Sequence, residues 1–234
     1  METKFKLHYK TIKMSFENNK YFIIKQAISK ELADFCYDYI LLKRKVAKTL
    51  FERKSISPFT SFWGVWNDKQ VPETYSHYAD IVMETLLEKL LPIMKKETNL
   101  NLIPTYSYTR IYKKGDVLNR HKDRISCEVS TTLNLGGDLW PIYLSPDKNV
   151  GIPESDGGEK GITVSSEAEG LKINLEPGDM LVYSGCDLEH WREPFEGDNC
   201  GQVFLHYNNE KTQGYTNKFD GRPHLGLPSN IKTV

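Results

Sequence analysis

Over the first hundred residues apolar positions recur mostly with a helical period, and after Pro104 they come in short alternating runs. Tyr21 to Ile24 reads as a short strand. Ser29 then stands where a helix cap would, and Leu32, Phe35, Cys36, Tyr39, Ile40, Val46 and Leu50 follow at the spacing of one apolar face. A second helix is predicted to begin near Pro72, with Ile81, Val82, Leu86 and Leu90 inward. Pro92 is expected to end or kink it, because proline lacks the N–H that a helix interior uses.

From Pro104 onward the runs TYSYTRIY, CEVSTTLNL, LWPIYL, LKINL, DMLVYS and QVFLHYN are separated by Gly, Pro, Asp and Asn. Short strands at this spacing suggest a sandwich or jelly-roll. The fold class expected is therefore α+β, with N-terminal helices packed on one sheet of a jelly-roll core. No repeat or long Pro/Gly/Ser linker divides the chain, so a single domain over 1–234 is predicted. It comprises mainly helical support over 1–103, the β core over 104–208 and a C-terminal extension over 209–234. Residues 145–161 form a long turn-rich loop, expected to border a site and to become ordered when substrate binds.

Strand alternation adds a second layer. Tyr106, Tyr108, Arg110 and Tyr112 share one face, because successive side chains on a strand point to opposite sides. Glu128, Ser130, Thr132 and Asn134 share a face of the next strand, opposite Val129, Thr131, Leu133 and Leu135. Such polar faces belong either to solvent or to a wet pocket inside the barrel. The candidate ligands described next favour the pocket.

Composition narrows the function. Lys+Arg and Asp+Glu are both 31, so the net charge is zero and nothing indicates bulk attraction to nucleic acid. No apolar run is long enough to span a membrane. The N-terminal METKFKLHYKTIKM is interleaved with lysines and lacks a secretory apolar core. The 4 cysteines, Cys36, Cys127, Cys186 and Cys200, form no CxxC pair, so reduced thiols in a cytoplasmic protein are expected.

His121-Lys122-Asp123 sets an imidazole and a carboxylate two residues apart, about 7 Å along extended backbone and on the same side. A third ligand from a distant strand would complete two histidines and one carboxylate, which leaves adjacent metal positions open. Alone the pair is weak: 6 histidines and 31 acidic residues in 234 give roughly 0.8 such pairs by chance. Its context is more specific. Tyr112-Lys-Lys-Gly115-Asp116 precedes it, and Glu176-Pro-Gly178-Asp179 leads through Tyr183 to His190-Trp-Arg192-Glu-Pro194.

This order of motifs, with Leu133-Asn134 between, resembles the Fe(II)/2-oxoglutarate-dependent dioxygenases of the double-stranded β-helix fold, in particular their prolyl-4-hydroxylase-like branch. The resemblance covers roughly residues 104–208. It implies His121, Asp123 and His190 as iron ligands, 2-oxoglutarate and O2 as co-substrates, and hydroxylation of a peptide side chain or small molecule with release of succinate and CO2. Tyr112 matches the position whose hydroxyl contacts 2-oxoglutarate, Thr132 a second hydroxyl donor, and His206 a residue that lines the pocket.

One departure bears on the cofactor. The branch usually carries a Lys or Arg about ten residues after the distal histidine, where this chain has Asn199 and Cys200. Arg192 is the expected substitute, since it faces the side of His190 and a guanidinium grips a carboxylate with two parallel bonds. The other outcome for Arg192 is an ion pair with Glu189 or Glu193. Arg110 is the second candidate, or else an arginine paired across the barrel with Glu128. The alternative function is a cupin-like metal enzyme that does not use 2-oxoglutarate; a metal-free binding module is the third.

Overall fold

The computed structural model describes residues 16–57, 60–151 and 166–233. The chain runs through α1 (Phe16–Asn19), β1 (Tyr21–Ile24), α2 (Lys30–Glu52), β2 (Tyr75–Tyr78) and α3 (Ile81–Thr98). The strands β3 (Leu102–Lys113), β4 (Leu118–His121), β5 (Val129–Gly137), β6 (Ile142–Leu144), β7 (Leu171–Ile173), β8 (Met180–Tyr183), β9 (His190–Arg192) and β10 (Asn199–Asn209) follow, then the short α4 (Glu210–Gln213).

Two antiparallel sheets result, one of order β1-β8-β5-β10-β3-β2 and one of order β4-β9-β6-β7. Alternation within the strands decides which side of the large sheet meets which layer. Val129, Leu133 and Leu135 of β5 and Val203 and Leu205 of β10 share one core with Cys36 and Ile40 of α2 and Met83, Leu87 and Leu90 of α3. The opposite face carries Ser130 and Thr132, which are buried rather than solvated. The expected 145–161 loop lies outside the described residues from 152 onward.

The helices differ from expectation in detail. Ser29 caps α2 by accepting from the Leu32 N–H at 3.2 Å. The buried stripe, however, is Ala33, Cys36, Ile40 and Ala47, while Phe35 is 62% exposed. Small residues let the helix approach the sheet, so the bulkier neighbouring stripe is turned outward. The second helix starts at Ile81, not near Pro72, because Asp80 caps it by accepting from the Val82 and Met83 N–H groups. Ile81 is consequently exposed, and the segment before the cap is β2, paired with β3. Pro92 lies inside α3 without ending it; burial of Leu90 and Met94 on either side outweighs one lost hydrogen bond.

The C-terminal stretch is tied to this frame through Arg222. Its guanidinium donates to both Glu84 carboxylate oxygens, at 3.2 and 2.8 Å, and to the Thr105 carbonyl at 3.0 Å. All four cysteines are free thiols. Among the described residues no helix is long and apolar enough to cross a membrane.

Candidate metal centre

The two histidines meet because β4 and β9 are antiparallel neighbours in which His121 and His190 are directly opposed. Their ring centroids are 4.2 Å apart. His121 Nδ1 lies 2.7 Å from the Asn119 carbonyl, and His190 Nδ1 lies 3.0 Å from that of Leu188. A carbonyl only accepts, so each Nδ1 carries the proton and each Nε2 keeps a lone pair, that of His190 within reach of the Tyr183 hydroxyl. Asp123 follows β4, its N–H held by the Gly185 carbonyl at 2.9 Å. Its Oδ1 lies 3.6 Å from His121 Nε2 and 3.5 Å from His190 Nε2. Its Oδ2 accepts from Ser130 Oγ at 2.7 Å.

One carboxylate oxygen is thus anchored and the other presented beside two imidazole nitrogens, a donor set that suits a divalent transition metal. Gly185 makes room for it: a Cβ there would stand 2.3 Å from Asp123 Oδ2 and 2.6 Å from Ser130 Oγ. Neither basic neighbour of Asp123 competes for its charge. Lys122 donates to the Lys148 carbonyl at 2.9 Å, and Arg124 pairs with Asp220 at 2.9 Å.

Electrostatics follow from burial. Desolvation, helped by the neighbouring His190, pulls the His121 pKa down to about 4. Burial likewise lowers His206 to about 4. Burial would lower His190 too, but the Asp123 charge outweighs it and raises that group. For Asp123 burial acts upward, and the two histidines more than reverse it. Between pH about 6.5 and about 4 the unfolded chain therefore binds protons at positions 121 and 206 that the folded chain refuses. The metal-free protein should lose stability as pH falls through that window, by up to about 1.4 kcal/mol per group and pH unit, with His190 offsetting part. Denaturant midpoints at several pH values check this, and His206→Gln should flatten the slope.

The centre opens into a cavity of about 330 Å³ whose walls include Tyr106, Tyr108, Arg110, Tyr183, Phe204 and His206. His206 lies in its wall, its Nδ1 3.0 Å from Ser130 Oγ. Arg110 also lines it but is already paired, with Asp68 at 2.5 Å and Gln70 at 2.7 Å. Glu128 is not its partner; it precedes β5 and accepts from the Asn209 N–H at 2.8 Å instead. Tyr112 is fully buried, with its hydroxyl 3.4 Å from Arg110 Nη1 and its ring edge-on to Trp140.

Arg192 differs from Arg110. It is 1% exposed, it donates to the Trp140 carbonyl, and its Nη2 lies 3.4 Å from Thr132 Oγ1. Its Nε has no partner, and among the described residues no carboxylate faces the guanidinium. Glu189 is 3.5 Å from Arg120, while Glu193 accepts from Trp191 Nε1 at 2.9 Å, so neither predicted ion pair forms. Burial without a counter-charge lowers the Arg192 pKa.

Sequence reasoning missed several neighbours. Asp68 and Gln70 reach the cavity from an irregular segment with no periodic signal. Gln202 stands opposite Arg110 on β10 and accepts from Thr132 Oγ1 at 3.2 Å. Tyr183 lies 3.3 Å from His190 Nε2, and only its place after the Pro-Gly-Asp turn hinted at it.

The fold is that of the Fe(II)/2-oxoglutarate oxygenases, prolyl-4-hydroxylases among them. A Pseudomonas putida prolyl-4-hydroxylase superposes with a TM-score of 0.54 at 12% identity, over 83% of this chain and 95% of that one. SnoN, a non-haem α-ketoglutarate-dependent epimerase from nogalamycin biosynthesis, gives 0.58 at 10% identity, over 94% and 92%. HygX from Streptomyces hygroscopicus, with nickel, 2-oxoglutarate and hygromycin B bound, gives 0.53 at 13% identity, over 93% and 94%. No family model and no curated protein matches the chain at the level of sequence.

Proposed function

We propose that this protein is an Fe(II)- and 2-oxoglutarate-dependent dioxygenase, built as one jelly-roll domain, that hydroxylates a peptide side chain or a small molecule. The observation that carries the reading is the buried Arg192 guanidinium, with no facing carboxylate among the described residues, two residues along β9 from His190 of the His121–Asp123–His190 cluster. A buried charge left unpaired is costly, so its retention beside such a donor set fits an anionic co-substrate. The order in which β3 to β10 distribute between two sheets also supports the jelly-roll.

His121, Asp123 and His190 would hold the iron, with the Asn119 and Leu188 carbonyls fixing the imidazoles and Ser130 fixing the carboxylate. Bound iron with 2-oxoglutarate and O2 supplies oxidative decarboxylation to succinate and CO2 coupled to hydroxylation. Arg192 would grip the far carboxylate of 2-oxoglutarate, with Thr132 and Tyr112 offering hydroxyls beside it. The aromatic side chains of Tyr106, Tyr183 and Phe204 line the cavity beside the reacting centre.

A cupin-like reaction without 2-oxoglutarate is the second reading, favoured by Cys200 and Gln202 on the inward face of β10 after the distal histidine. Bound iron and succinate, measured together after anaerobic Fe(II) loading and addition of 2-oxoglutarate and O2, separate the two. One iron per chain with succinate release is expected. Iron without succinate would favour the cupin-like reading, and neither would remove both.

A further inference from the structure

The cavity wall also holds two oxidisable side chains to which the proposed hydroxylation gives no role. Tyr106 on β3 and Cys127, in the turn before β5, place a phenol oxygen and a thiol sulfur 3.1 Å apart, both buried. The Tyr106 ring is fixed by Tyr78 stacked at 5.0 Å, His206 at 4.5 Å and the Arg124 guanidinium at 4.7 Å. Cys127 is close to the same anchor from the other side, its carbonyl 2.9 Å from the Ser130 Oγ whose hydrogen Asp123 accepts. Cys127 Sγ, an Asp123 carboxylate oxygen and a His206 nitrogen lie within 4.8 Å of one another, so the sulfur borders the metal donor set.

We propose that Tyr106 and Cys127 become joined by a thioether, from Sγ to the ring carbon beside the phenol oxygen, when oxygen is activated with no substrate in the cavity. The inference rests on the function proposed above, which supplies O2 as oxidant and 2-oxoglutarate as co-reductant. The pair loses the thiol hydrogen and one ring hydrogen and gains one C–S bond. One atom of O2 goes to succinate, formed with CO2, and the other leaves as water with those two hydrogens. Coupling within the protein is favoured over oxidation of sulfur by external reagents. Cys127 is 3% exposed, and the two groups are already in contact on clamped elements, so little motion separates them from reaction.

Peptide mapping tests this on the full chain, purified without oxygen, loaded with Fe(II), then given 2-oxoglutarate and O2 and no substrate. After denaturation and alkylation, trypsin releases Tyr106 in residues 97–110 and Cys127 in residues 125–148, which contain no other cysteine. The expected result is a joined pair of these peptides, two hydrogens lighter than their sum, with fragmentation locating the link at Tyr106. Alkylated 125–148 should fall as succinate accumulates in the same tube. Tyr106→Phe should restore full alkylation of Cys127, and Cys127→Ser should leave 97–110 unmodified. Succinate release with Cys127 fully alkylated, or carrying added oxygen instead, overturns the thioether and leaves the proposed function standing. Neither succinate nor bound iron removes the function and the thioether together.

Discussion

Arg192→Met is expected to weaken 2-oxoglutarate binding at least about tenfold while raising the melting temperature of the ligand-free protein. Loss of a charge-assisted hydrogen bond costs roughly 1.5–3 kcal/mol, and about 1.4 kcal/mol is a factor of ten. Stability should move the other way. The guanidinium is buried with an unpartnered Nε and no facing carboxylate among the described residues, and replacing such a charge by an apolar side chain of similar reach is neutral or stabilising. Iron binding should hardly change, since no metal donor is touched. Calorimetric titration with 2-oxoglutarate and thermal melts read both effects. If Arg192→Met keeps wild-type affinity while Arg110→Met loses it, the anchor is Arg110, released from Asp68. If neither matters, 2-oxoglutarate is not held in the proposed way.

Glu84→Ala should cost roughly 3–5 kcal/mol, because it strands Arg222 as an uncompensated buried charge. The two side chains are 1% and 0% exposed and 2.8 Å apart. Glu84 also accepts from the Ser107 N–H at 3.2 Å and from the Gly226 N–H, so one carboxylate fastens α3, β3 and the C-terminal stretch. Against a typical total of about 5–15 kcal/mol, the loss would be large in a urea melt. Glu84→Leu combined with Arg222→Met should recover part of it by removing both charges. A loss under about 1 kcal/mol would mark the pair as no better than an exposed one.

How much of this was legible in the chain depended on the kind of signal. Alternation in TYSYTRIY and CEVSTTLNL identified strands and faces, because a period of two has one structural meaning. Helical faces were harder: Phe35 and Cys36 both fit an apolar stripe, and which one turned inward depended on how closely the helix meets the sheet. Residues 75–78 carry no clear period, and the sequence reads as starting a helix near Pro72 rather than at the Asp80 cap, so β2 was absorbed into a helix. His121, Asp123 and His190 were readable because their spacing sits between recognisable turns. Asp68 and Asp220 were not, since each finds its arginine across a distance that only tertiary structure sets.

The distribution of strands between sheets has a consequence for how the site is born. β3 pairs with β10, the first strand of the core with the last, and His121 meets His190 only when β9 finds β4. Contacts between such distant segments form slowly, because the loop between them must be closed before they contribute. During synthesis, β3 emerges long before its partner and waits with one edge unpaired, a state in which aggregation competes with folding. The histidines cannot act as an early nucleus, so a metal held by them would bind only after β4 and β9 have paired. Refolding should then proceed at the same rate with or without metal, which would slow only the unfolding of the loaded protein.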